Sequence, residues 1–333
     1  MATSSYFGRN SFVGAAKEDS GWGTAEYTPD VTRPIISCSM LRQVEKVERA
    51  NLRVAGVAGL RKGHYLVADR VSGSLELECT YDNVGYFIDA ALGASATSTG
   101  ATLNTHTYTM GDVPTHGTTL RLQRGTSDYS ESFSGVVFNT LTMSCAAGEV
   151  MTLSLEMMGK TSTDTEGPRG DTTLSFSEPS NENLVLHHHA SDLTWDGTTY
   201  NLIDFEYKLE NGLADRMRLG SLLTKQPVQS DYRTSTLTVT FETDDVNGYK
   251  KFIEDKVSDA TVTFNNAGAA AGERVMQFNL NNCYIESYTD EISETGLVTA
   301  SVTFKAQGSG ASGLDLGTNI IVMNQNDSAI HNG

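Results

Sequence analysis

Apolar and polar residues alternate along much of this 333-residue chain. Over residues 74–80, Leu75, Leu77 and Cys79 fall on one side and Ser74, Glu76, Glu78 and Thr80 on the other. Leu141, Met143 and Cys145 alternate with Thr140, Thr142 and Ser144, and Met151, Leu153, Leu155 and Met157 with Thr152, Ser154 and Glu156. A period of two marks strands with one face in a core and the other in water, the habit of antiparallel sheets. Two short segments carry the helical period instead. In the first, Asp82 or Asn83 serves as N-cap, Val84, Phe87, Ile88 and Ala91 share a face, and Gly93 supplies a left-handed stop. In the second, Asp244 or Asp245 caps a run in which Val246, Tyr249 and Ile253 share a face beside Phe252.

Each helix directly follows a strand, and the two neighbourhoods resemble each other. Ser74-Leu-Glu-Leu-Glu-Cys-Thr80 matches Thr236-Leu-Thr-Val-Thr-Phe-Glu242 in pattern, and both lead through an Asp pair or Asp-Asn into the helix. A short strand follows each helix, at 106–110 and at 260–265. A closing hairpin comes next, at 136–160 and at 275–306, and opening strands at 35–41 and 201–210 precede each repeat. Self-similarity on this scale predicts two tandem domains of one fold. The expected organisation is an arm at 1–34, a first β domain at 35–160, a linker at 161–183, a second β domain at 184–306 and a second arm at 307–333. The linker is rich in Thr, Ser, Asp, Pro and Gly. Within the last arm, Asn319-Ile-Ile-Val-Met323 is short enough to add as a strand to a neighbour's sheet edge. The fold class is mainly β: two sandwich or barrel domains, each with one short flanking helix.

Composition narrows the chemistry. Apolar residues make up 38% and charged residues 20%, close to globular values, and no run of eighteen apolar residues is present to span a bilayer. Segment 1–14 lacks the basic-then-apolar order of a signal peptide, so a cytosolic product with four reduced, widely spaced core cysteines is expected. With 24 basic against 41 acidic side chains the net charge is −17, and both halves are acidic, which excludes tight binding to a phosphate backbone. His187, His188 and His189 would alternate faces on a strand and so cannot close around one metal. Gly56-Val-Ala-Gly-Leu-Arg-Lys-Gly63 lacks the GK[ST] ending of a phosphate loop. No serine sits in GxSxG, and the two Asp pairs lack the spacing of a calcium loop. No enzyme activity, cofactor or metal is expected. The polar faces of the strands are more informative: they carry Ser, Thr and Glu almost without Lys or Arg, and Lys208 is the exception in segment 201–210. Such a wall repels a polyanion.

In order along the chain, Phe12-Val-Gly-Ala-Ala-Lys-Glu-Asp-Ser-Gly-Trp-Gly-Thr24, Gly73-Ser-Leu-Glu-Leu-Glu-Cys-Thr-Tyr-Asp82 with Phe87-Ile-Asp-Ala-Ala-Leu-Gly93, and Gly135-Val-Val-Phe-Asn-Thr-Leu-Thr-Met143 are followed by Leu209-Glu-Asn-Gly-Leu213, Leu219-Gly220 and Val302-Thr-Phe-Lys-Ala306. Together they resemble the siphophage major tail tube proteins over most of the chain. The resemblance implies a β-sandwich whose inner sheets join around a ring into a barrel. It also implies rings of six domains, here three chains in a pseudo-hexamer, stacked as the tube through which double-stranded DNA passes without adhering. The implied partners are further copies of the chain and the tape measure, terminator and distal tail proteins, with no membrane. The implied location is the virion tail, assembled in the host cytoplasm. Glu76, Glu78, Glu156, Asp204, Glu206 and Glu242 are the candidates for the lumen wall. The family's long hairpin and terminal arms touch the next ring; the counterparts are 42–70 and 211–233, and Arg42, Lys46, Arg49, Arg53, Arg61, Lys62 and Arg70 are the candidate contacts. A capsid decoration or other β-rich virion protein is the alternative. A carbohydrate-binding tail component would need an aromatic cleft, for which Trp22 and Trp195 offer little.

Overall fold

The computed structural model describes residues 11–48, 63–100, 103–113, 116–124, 130–163, 183–190, 192–242, 247–266, 274–291, 298–308 and 317–324. The first half of the chain forms β1 (Phe12–Lys17), β2 (Val31–Pro34), β3 (Ser37–Cys38), β4 (Leu41–Glu48), β5 (His64–Glu78), α1 (Gly85–Leu92), β6 (Gly93–Ser98), β7 (Asn104–Met110), β8 (Thr118–Gln123), β9 (Ser130–Ala146), β10 (Thr152–Gly159) and β11 (Thr161–Thr163). The second half forms β12 (Leu193–Trp195), β13 (Thr198–Tyr200), β14 (Leu202–Glu210), β15 (Leu213–Arg216), β16 (Lys225–Gln229), β17 (Thr234–Glu242), α2 (Asn247–Ile253), β18 (Ser258–Asn266), β19 (Arg274–Glu291), β20 (Thr299–Ala306) and β21 (Thr318–Asn324).

The expected alternation is realised as one antiparallel sheet that runs through both halves. Its order is β3 and β4 together, then β5, β10, β9, β14, β17, β20 and β19. Within each half the sequence of roles is the same: opening strand, strand before the helix, then the two strands of the closing hairpin in reverse order. A single rung, Leu77–Leu153–Met143–Tyr207–Leu237–Phe304–Ile285, crosses seven strands on the apolar side. Every member of that rung is buried. Burying a side chain of this size contributes about 1.5–3 kcal/mol.

A second layer covers this apolar side. In the first half it is β2–β1–β8 on the front part of β9, with β11 beyond; in the second it is β13–β12–β18 on the front part of β19, with β21, β7 and β6 beyond. Phe205 of β14 packs 5.2 Å from Phe264 and 4.8 Å from Phe278 across the two layers, and Trp195 lies 5.1 Å from Phe304. The long strands β9 and β19 belong to both layers and change layer at a positive-φ residue, Gly135 (φ 67) and Asn282 (φ 57).

Several sequence expectations change at this level. Residues 12–34, expected within an extended arm, form β1 and β2 and pair with β8 and each other. The expected strand at 106–110 is present within β7, where it pairs with β6 and β21, while β8 pairs with the closing hairpin of the first half. Asn319–Met323, expected to reach a neighbour, inserts instead between β19 and β7 of its own chain. Asp82 does not cap α1, whose N-cap position is Val84 without a side-chain bond; its carboxylate instead pairs with Arg274 at 3.1 Å, from the other half of the chain. Gly93 ends α1 in the left-handed region as expected. Tyr249 and Ile253 of α2 face outward, and Phe252 packs on Tyr288 at 6.0 Å; Asp244, Asp245 and Val246 lie outside the described residues. Most of the segment 161–183 also lies outside them.

Candidate functional site

The polar side of the continuous sheet is a chemically uniform surface that crosses both halves of the chain. On it the rung Glu78–Thr152–Ser144–Glu206–Thr238–Thr303–Ser287 runs parallel to the buried one, one residue along each strand. Residues directly opposite in a ladder share a face. Glu76 stands with Ser154 and Thr142, Glu156 with Ser74 and Thr140, Asp204 with Ala146 and Thr240, and Glu242 with Thr299. All six lumen candidates therefore fall on one side of one sheet, whose register sets which residues meet. Where the two halves meet, the face is hollowed between Ser144, Glu149, Thr152, Asp204, Glu206 and Thr238.

Hydroxyls knit this surface together. Ser144 and Thr152 are 3.1 Å apart, Thr238 and Thr303 3.2 Å, and Ser39 and Ser74 2.9 Å. Ser37 donates to Glu76 at 3.0 Å and Thr140 to Glu156 at 3.1 Å. Two lysines stand on the same face, and each is held by an acid: Lys208 by Glu210 at 2.6 Å and Lys305 by Glu286 at 3.2 Å. The hydrogen bond to its carboxylate raises the pKa of each ammonium and keeps it protonated. Positive charge on this face is thus locally cancelled, whereas among the described residues Glu78, Asp204, Glu206 and Glu242 form no ion pair. The alternation also puts Glu210 on this face, beside Asp204 and Glu206 on the same strand. Sequence reasoning missed Glu286, which lies in a register shift between Ile285 and Ser287 that breaks the period of two.

The basic candidates occupy a different place. Strands β4 and β5 extend past the sheet as a hairpin in which every residue of β4 is exposed. Arg42 binds the buried Asp69 through Nε at 2.9 Å, and Arg70 binds Glu45 at 2.6 Å and Asp215 of β15 at 3.3 Å. These two cations are matched within the chain, and Arg70 ties the first long hairpin to the second, where Asp69 N–H also donates to the Leu222 carbonyl at 2.9 Å. Lys46 is exposed and opposite Leu66; Arg49, Arg53, Arg61 and Lys62 lie outside the described residues. The exposed surface of the two hairpins is apolar as much as basic, with Val47, Tyr65, Leu219 and Tyr232 each more than half exposed.

Other candidates resolve into structure. The three histidines form a 3-10 turn rather than a strand, and His189 is buried with Nδ1 3.1 Å from the Tyr81 hydroxyl. Among the described residues no group of three His, Cys, Asp or Glu is placed to hold a metal ion. All four cysteines are free, and burial pushes the Cys145 thiol up to about 11 and the Cys283 thiol to about 12, so neither is a nucleophile at neutral pH. Trp195 is a core residue, and Trp22 donates to the Gly135 carbonyl at 3.0 Å with Lys160 over its ring; they do not share a cleft.

One buried polar cluster had no sequence signal. At the junction of β9 with β14, the Asn211 side-chain amide donates to the carbonyls of Ala91 and Phe138, both at 2.9 Å. Arg233 donates to the carbonyls of Gly111 at 2.7 Å and of Ala91 and Leu92 at 3.1 Å, and to Asn211 Oδ1 at 2.8 Å. The cluster fastens the second half of the chain to the C-terminal end of α1 in the first.

No described helix is long and apolar enough to cross a membrane. Compared with known proteins, the chain matches at residues 8–306 a family model described as phage tail tube protein. No curated protein matches it.

Proposed function

The chain belongs to the phage tail tube protein family, and on that premise we propose that it polymerises as stacked rings of three chains whose continuous sheets form an acidic conduit for the genome. The observation that carries this reading is the continuous strand pairing from β5 to β19, which sets hydroxyls and carboxylates on one face of both repeats. The two repeats, with their junction at β9–β14, act as two tandem domains, and the long hairpins reach toward neighbouring rings. The chain works as a structural component of the virion tail, with tape measure, terminator and distal tail proteins as partners and assembly in the host cytoplasm.

Strand spacing accommodates three chains. Hydrogen-bonded strands lie about 4.8 Å apart, so the eight strands of one chain make about 38 Å of wall. With a strand tilt of about 40°, three chains would close a barrel about 48 Å across at the backbone. After inward side chains are subtracted, such a ring admits a DNA duplex roughly 20 Å wide. The wall then acts physically. Its net negative potential keeps the phosphate backbone from adsorbing, and no counterions are released to favour binding.

Negative-stain electron microscopy of the purified protein, with the mass of any ring measured, tests this reading. Rings or tubes with three chains per ring are the expected result. Rings of six chains would retain the tube and overturn the pseudo-hexamer. A chain that stays monomeric at high concentration, even with the other tail proteins present, would overturn the assembly reading and favour a decoration protein.

A further inference from the structure

The repeat contains one completed junction and, at the corresponding place, one incomplete one. In the first repeat the front of β9 lies between β8 and β11, and its rear lies between β10 and β14. In the second, the front of β19 lies between β18 and β21, and its rear pairs with β20. Among the described residues, no strand occupies the other edge of β19 from Tyr284 onward, where β14 would stand by analogy. Likewise β3, the counterpart of β14, pairs with β5 alone. A hollow beside β3, lined by Ser11, Ile35, Ile36, Cys38, Leu122 and Arg124, lies open at that edge.

We propose that the rear of β19 pairs antiparallel with β3 of a second copy of this chain, in the register that β9 and β14 already show, so that Thr289 stands opposite Ser37 and Tyr288 opposite Cys38. This rests on the ring reading above and names the surfaces that close the ring. The register follows from the two repeats. Ser37 faces Glu76 as Glu206 faces Thr238, and Cys38 faces Leu75 as Tyr207 faces Leu237, which makes Ser37 and Cys38 the counterparts of Glu206 and Tyr207. Met143 faces Leu153 and Leu77 as Tyr288 faces Val302 and Val239, so Tyr288 is the counterpart of Met143 and Thr289 of Ser144. Tyr207 pairs with Met143 and Glu206 with Ser144 at the internal junction. Transferring these pairs gives Cys38 with Tyr288 and Ser37 with Thr289.

The transferred register keeps the chemistry of both faces. Ser37, Ser39 and Thr289 extend the hydroxyl surface from one copy to the next, and Cys38 continues the apolar side. The new junction differs from the internal one in one respect. Arg42 and Val71, opposite each other, stand where Asn211 and Arg233 would be, so the buried clamp on α1 has no counterpart between copies. The internal junction is thereby fixed with folding, and the junction between copies forms on assembly.

Disulfide trapping tests the register. The double variant Ser37→Cys, Thr289→Cys, in a Cys38→Ser background, is assembled under reducing conditions, oxidised, and analysed on denaturing gels. Directly opposite Cβ atoms lie about 4.5–5.5 Å apart and diagonal ones about 7–8 Å, against the roughly 3.5–4.5 Å of a disulfide. A closed three-chain product is expected, formed at least about tenfold faster than in the offset pair Ser37→Cys, Ser287→Cys. Rings that cross-link in the offset pair, or in neither, overturn the junction and leave the tube reading in place. Failure of the unsubstituted chain to form rings overturns both. Amide exchange of the unsubstituted protein provides a second readout should the cysteine variants not assemble: residues 284–291 gain protection on polymerisation, and unchanged exchange there overturns the proposal.

Discussion

Arg233 and Asn211 do the work of a joint between the two repeats. A guanidinium that reaches three carbonyl oxygens and an amide oxygen satisfies the C-terminal end of α1, a place where helix carbonyls otherwise lack partners. Burial draws the Arg233 pKa down to about 10, which still leaves it charged at neutral pH. Arg233→Ala strands those carbonyls in a water-poor junction and is expected to cost about 2–4 kcal/mol, read as a lower urea midpoint. Arg233→Lys should recover little of this, because a single ammonium cannot span the fork. Equal stability of the alanine variant would show that the two repeats are held by strand pairing alone. Neither residue was singled out by pattern. Both lie at the base of a hairpin, outside any alternating run, and their partners in the first half lie 73 to 142 residues away.

At the scale of elements, the bend in β9 decides which layer each half of that strand joins. Gly135 sits at φ 67 and its N–H donates at 2.7 Å to Glu18, a buried carboxylate that also accepts from Thr119 at 2.9 Å. A Cβ at Gly135 would lie 2.8 Å from the Lys160 Cβ and 3.0 Å from the Trp22 ring. Gly135→Ala therefore meets both a left-handed backbone penalty and a collision, and a loss of about 2–3 kcal/mol is expected in chemical denaturation. A neutral substitution would mean that the strand bends elsewhere. The strands themselves were legible, since period two specifies a half-buried strand wherever it occurs. The bends and the strand exchanges at β1, β7 and β21 were not, because alternation fixes which face a residue takes and says nothing about which strand lies beside it.

For the whole molecule, the polar face of the sheet carries a charge pattern that no single strand reveals. Replacing Glu78, Glu206 and Glu242 by lysine converts these carboxylates into cations along three strands. The unpolymerised triple variant is expected to bind a short DNA duplex at about 50 mM salt and to release it several-fold by about 200 mM, while the natural chain binds at neither. Fluorescence anisotropy of a labelled duplex measures both. Binding by the natural chain at low salt would refute the non-adhesive wall. The same variant should fold normally, since exposed charges contribute little to stability.

The amino-acid sequence by itself determined the antiparallel β class, the recurrence of a strand-then-helix pattern, the two helix positions, the acidic hydroxyl-rich strand faces and the family resemblance. These depend on local period, local caps and composition, all of which a chain carries in its covalent order. Only the tertiary structure decided that both repeats share one sheet, that the six carboxylates align on one face of it, and that Arg42 and Arg70 are matched by Asp69, Glu45 and Asp215. It also decided that the strand near the C-terminus closes onto its own chain and that, among the described residues, no strand pairs with the second edge of the rear of β19. Partners in a ladder are chosen by packing between segments far apart in sequence, where hydrogen bonds are equally available to many strands and burial of a shared apolar face selects among them.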